Sequence, residues 1–155
     1  QKDRRRTYGS AGSVAERELV RLSLHRRQFV EAVAERVGPD SFRDPRLSQI
    51  FSRLVEAPED SIGNLVMPLD DDAVGLLNEL SENVGGLDVP ARIIEDCVSV
   101  LRQRELGEEI DEIDREIPLA DDAGKMTLVL RKQQLTKEIN ALGGQRWPAF
   151  LRSGQ

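Results

Sequence analysis

Between Ser13 and Leu142, apolar residues recur at helical spacing in segment after segment. Leu19, Val20, Leu22 and Leu24 form the first group, which runs to His25. Ser13 and Glu16 ahead of it have the S-x-x-E spacing of a capping box, so a helix is expected to start there. Phe29, Val30, Val33 and Val37 form a second helical group, ended by Gly38 and Pro39. Asp44 before Pro45 predicts an N-cap followed by proline at the first helical position, where its missing N–H does no harm. Leu47, Ile50, Phe51, Leu54 and Val55 then make one amphipathic face. Ser61 to Leu69 carries a helix-like pattern that Gly63 and Pro68 keep short. Asp70, Asp71 and Asp72 precede Val74, Leu76, Leu77 and Leu80, and carboxylates at that end oppose the positive pole of a helix dipole. Gly85 and Gly86 close that element.

Pro90 opens the longest expected helix, extending to about Ile117, with Pro118 blocking continuation. The pattern changes along it. Ile93, Ile94, Cys97, Val98, Val100 and Leu101 make a broad apolar surface suited to a bundle, whereas Leu106, Ile110, Ile113 and Ile117 make a narrow stripe suited to one partner helix. After a turn through Leu119 to Gly124, a second narrow stripe follows in Leu128, Leu135, Ile139 and Leu142, and Gly143 and Gly144 stop it. Two short stripes joined by a short connection predict an antiparallel hairpin. The expected fold is all-α: a compact helical bundle over 14–104, then a long helix and a protruding antiparallel helical hairpin over 105–144. Residues 1–13, with Gly9, Ser10, Gly12 and Ser13, have the composition of a flexible linker, and 145–155 form a tail.

Composition sharpens this picture. Aromatic residues are 4% of the 155, so the core must come mainly from Leu, Ile and Val, which suits helices better than a sandwich or barrel. A net charge of −6 argues against a dedicated nucleic-acid module, and the one basic cluster, Lys2, Arg4, Arg5 and Arg6, sits in the linker-like segment. A single cysteine, Cys97, excludes an internal disulfide and points to a reducing cytoplasm. No run approaches the roughly 20 apolar residues of a membrane helix. The chain opens on Gln1 rather than Met, and it is expected to be a piece of a longer protein.

Candidate chemistry is sparse. Asp70, Asp71 and Asp72 could hold a divalent cation, but consecutive helical residues do not face one another and no glycine-centred calcium loop surrounds them, so capping is the better account. Asp121 and Asp122 invite the same account. His25, the one histidine, has no nucleophile motif beside it, and Cys97 falls on an apolar helix face where a thiol acts as a small hydrophobe. The glycine pairs lack any phosphate-cradling context. No catalytic residue, metal ligand or cofactor site is expected in this chain.

With the helices placed, the stretch Glu16-Arg-Glu-Leu-Val-Arg-Leu-Ser-Leu, then Phe29-Val-Glu-Ala-Val, then Asp40-Ser-Phe-Arg-Asp-Pro-Arg-Leu-Ser-Gln-Ile-Phe resembles the helicase-binding C-terminal domain of bacterial DnaG-type primases. That family opens with a Glu-x-x-Leu-Leu-x-Leu-Leu-like helix. A second helix and an acidic-x-Phe-x-Asp-Pro turn into an Ile-Phe helix come next, and a long helix and a helical hairpin end the domain. Ser23 stands where the family usually has leucine, and Gln145 to Gln155 has no counterpart in its pattern. The N-terminal domain of the replicative helicase shares the first half of this pattern and is the alternative, as an oligomerisation module. The primase resemblance implies a binding domain that docks onto the N-terminal domain of the replicative DNA helicase. It also implies no membrane and little or no direct contact with nucleic acid. The zinc module and acidic polymerase core that make primers in that family lie in other segments. The expected partner-binding residues are Ile117, Leu119, Met126, Val129 and Leu130 near the turn, with Arg131 at the rim and Ile113 on the seam that holds the hairpin together.

Overall fold

The structure is a computed structural model that describes the backbone of residues 2–143 and the side chains of residues 11–142; the expected tail 145–155 lies outside the described residues. Its regular elements are the helices α1 (Lys2–His25), α2 (Val30–Arg36), α3 (Pro45–Glu56), α4 (Ile62–Leu65), α5 (Asp71–Glu82), α6 (Pro90–Glu116) and α7 (Asp122–Gly143), with short 3-10 turns at Arg27–Phe29, Pro39–Ser41 and Ile117–Leu119. No strand occurs among the described residues, and the chain is all-α.

The chain divides into two compact units, Gln1–Val98 and Ser99–Gln155. The boundary expected at 104/105 therefore falls earlier, between Val98 and Ser99, inside the continuous helix α6. A second correction concerns the N-terminus: α1 runs back to Lys2, through the stretch expected as a linker, instead of starting at Ser13. Once the segment from Ala15 onward is pinned in a core, each further residue adds one hydrogen bond without a new nucleation step, and this carries the helix through Gly12 and Gly9.

In the first unit α3 is the hub, packing on α1, α2, α4 and α5, while α1 also packs on α2 and α5. Leu47, Ile50, Phe51 and Leu54 of α3 are buried as their spacing predicts, against Leu19, Val20 and Leu22 of α1 and Leu76, Leu77 and Leu80 of α5. Val55, the fifth residue of that expected face, is instead 41% exposed. Phe42 and Phe51 stack at a tilt, with ring centres 4.9 Å apart.

Caps follow the sequence closely. Asp44 accepts from the Arg46 N–H at 3.0 Å at the head of α3, and Asp70 accepts from the Ala73 N–H at 2.9 Å at the head of α5. Asp70 also exchanges two hydrogen bonds with Gln49: its carboxylate accepts from the amide at 2.8 Å, and its own N–H donates to the amide oxygen at 3.2 Å. These contacts hold the carboxyl groups of Asp44 and Asp70 below the ordinary aspartate range. Side-chain hydrogen bonds, from Arg46 and Gln49 respectively, are the main cause.

The capping box at Ser13 does not form. Glu16 is 1% exposed, and its carboxylate reaches across to accept the backbone N–H groups of Arg43 and Asp44 at 3.0 and 3.2 Å. The reason is tertiary: with α1 continuous through Ser13 there is no free helix end to cap, while the turn into α3 presents two N–H groups that need an acceptor.

Several basic side chains hold neighbouring segments in place by donating to backbone carbonyls. Arg21, 4% exposed, pairs with Glu18 at 2.7 Å and donates to the carbonyls of Asn83 and Gly85 at 2.9 and 2.6 Å. Gly86 follows with φ +79°, a left-handed conformation that favours glycine. His25 donates from Nε2 to the Leu80 carbonyl at 2.8 Å, which fixes its tautomer because a carbonyl only accepts. Arg27 donates to the carbonyls of Asp60 and Ala57 at 2.8 and 3.1 Å.

Candidate interaction surface

In the second unit the C-terminal part of α6 and all of α7 share one narrow seam. Leu106, Ile113 and Leu135 are buried in it, and Ile110, Ile117, Leu128, Ile139 and Leu142 pack around them half-buried. These are the two stripes predicted by the heptad spacing. Ion pairs flank the seam: Arg102 with Glu138 at 3.2 Å, Glu109 with Arg131 at 3.2 Å, and Asp114 with Lys132 at 2.7 Å. The earlier residue on α6, Arg102, meets the late part of α7 at Glu138, and the later ones, Glu109 and Asp114, meet its earlier part at Arg131 and Lys132, so the helices run antiparallel. All six side chains are 40 to 51% exposed, and exposed pairs of this kind contribute at most about 1 kcal/mol each, so they set register more than stability.

The connection is a 3-10 turn, Ile117–Leu119, after which Asp121 accepts the Gly124 N–H at 2.7 Å and starts α7. Among the described residues of this unit, the large apolar side chains that remain exposed lie near that connection: Leu119 (88%), Met126 (67%), Leu130 (57%) and Val129 (41%). Met126 and Leu130 are one turn apart on α7, on the side turned away from Leu128, Leu135 and Ile139, while Val129 lies on the flank. Along that outer side follow Gln133, Gln134 and Lys137, all exposed.

Of the seven expected contact residues, four, Leu119, Met126, Val129 and Leu130, are thus available to a partner. Ile117 is half-buried against the seam, and Arg131 is held by Glu109. Ile113 is 7% exposed and faces α7, so its place among the contacts is corrected. It can influence a partner only by keeping the hairpin closed.

The residues considered for chemistry have structural tasks. Asp70 and Asp121 cap helices. Cys97 is fully buried, and desolvation, with Glu18 and Asp96 nearby, pushes its thiol well above the ordinary range. Among the described residues no group of three or more His, Cys, Asp or Glu is placed to share a metal ion, and no helix is long and apolar enough to cross a membrane. Ser23 is fully buried with its hydroxyl unpartnered.

No known family, curated protein or solved structure matches this chain.

Proposed function

We propose that this chain is a protein-binding module of the primase type, which docks onto the N-terminal domain of a bacterial replicative helicase and couples primer synthesis to unwinding. The observation that carries the proposal is the cluster of Leu119, Met126, Val129 and Leu130, left exposed at one end of a hairpin whose own seam is already satisfied. Large apolar side chains grouped in this way are the usual anchors of a helix-in-groove interface. The resemblance supports the same reading from the other unit. The Glu of its first motif and the Asp-Pro of its third are in direct contact, since Glu16 accepts the N–H groups of Arg43 and Asp44. One hydrogen-bonded contact thus joins these two motifs in this chain. In this reading the chain is not itself an enzyme, carries no cofactor and works in the bacterial cytoplasm.

The test is calorimetric titration of the chain with the N-terminal domain of the replicative helicase from the same bacterium. Met126→Asp and Leu130→Asp place charges on the outer side of α7, so helicity by circular dichroism is expected to hold while affinity falls. Anchor residues contribute about 2 kcal/mol or more, so each change is expected to weaken binding by roughly thirtyfold. Binding that neither substitution weakens would refute the hairpin as the docking element. Assembly of the chain alone into rings would favour the helicase's own N-terminal domain instead.

A further inference from the structure

The first unit carries a groove of about 650 Å³ between α2 and the C-terminal end of α3, lined by Arg27, Gln28, Val30, Glu31, Ala34, Val55, Pro58 and Glu59. Its volume falls within the roughly 300–1,000 Å³ of clefts that hold ligands. Val30, Ala34, Val55 and Pro58 make its walls apolar, and the exposure of Val55 comes from this opening in the bundle. The charges at its edge are unequal. Arg27 is spent on the carbonyls of Asp60 and Ala57, with the Asp60 carboxylate close enough to offset it. Glu31 and Glu59 are exposed and have no ion-pair partner among the described residues. An apolar trough edged by two free carboxylates repels an acidic segment and favours an apolar side chain with a cation beside it.

We propose that this groove is a second protein-binding site, which takes a segment presenting a bulky apolar side chain next to Lys or Arg. The site lies wholly on the first unit and does not depend on the helicase reading of the hairpin. A site there lets a second partner bind without competing for the hairpin.

The experiment is fluorescence anisotropy of the whole chain with two labelled peptides. One alternates Leu and Phe with Lys; the other is identical but carries Glu at every Lys position. The Lys peptide is expected to bind and the Glu peptide not to. Ala34→Trp fills the trough and is expected to abolish binding. The double change Glu31→Lys with Glu59→Lys leaves the walls intact and is expected to weaken binding by about three- to tenfold, as two exposed charges should. Leu130→Asp on the hairpin is expected to leave peptide binding unchanged, which separates this site from the one proposed for the helicase. The proposal is overturned if the Lys peptide does not bind, if both peptides bind alike, or if the double change has no effect. It is equally overturned if sedimentation of the chain alone shows self-association that Ala34→Trp abolishes, because a second copy is then the occupant.

Discussion

Leu135→Ala puts the two-unit organisation to its most direct test. Leu135 is fully buried, and it is the residue through which α7 enters the buried cluster with Leu106 and Ile113. Each fully buried aliphatic side chain stabilises by about 1.5–3 kcal/mol, so these three together supply on the order of 5–9 kcal/mol before the entropy of ordering two helices is subtracted. Truncating a buried leucine to alanine removes about 2–5 kcal/mol, which at mid-range is about half of that sum. The flanking ion pairs are too exposed to compensate. The first unit, whose core includes Leu19, Leu22, Ile50, Phe51, Leu54, Leu77 and Leu80, loses nothing. Hydrogen exchange read by mass spectrometry is therefore expected to show residues 128–142 losing protection in the variant while residues 47–55 keep theirs. In the unaltered chain, 128–142 should already exchange sooner than 47–55. Unchanged protection in 128–142, or an equal loss in both segments, would refute independent stability of the hairpin seam.

Glu16→Ala leaves the Arg43 and Asp44 N–H groups without their acceptor and is expected to destabilise the first unit by about 2–4 kcal/mol, read as a lowered denaturant midpoint. Ser23→Ala removes a buried hydroxyl that has no partner, so it is expected to stabilise by about 1 kcal/mol; a lower midpoint would mean the hydroxyl is satisfied after all. Asp44 has its folded-state pKa lowered, first by the Arg46 side-chain hydrogen bond, so its contribution is complete above the ordinary aspartate value and is lost as pH falls through the depressed folded value. Asp44→Asn should flatten that acid limb of the stability curve. Cys97, with its thiol pushed up by burial, is expected to resist alkylation at mild alkaline pH and to react only at the rate at which the first unit opens.

The sequence by itself determined the helices and most of their ends. Asp44-Pro45, Ser61, Asp70 and Pro90 mark where helices begin because capping and proline geometry are local, involving atoms only a few residues apart. The seam was legible for a related reason: residues three and four apart must share a face, so Leu106, Ile110, Ile113 and Ile117 could meet only one neighbouring helix, and a short connection offered α7. It also marked Leu119, Met126, Val129 and Leu130 as apolar residues outside that seam, and they are exposed. What periodicity could not reveal was which acceptor meets which donor across the fold. Glu16 reads as the partner of Ser13, three residues away, and serves instead an N-terminus on α3 that only packing brings near it. Val55 reads as core because it follows Leu54 on the apolar face of α3. Whether that face is covered along its whole length depends on what packs against each part of it, and beside Val55 the neighbouring segments leave an open groove. The groove beside Val55 and the division of α6 at Val98 likewise follow from which elements pack on which, a property of the assembled chain that no single segment carries.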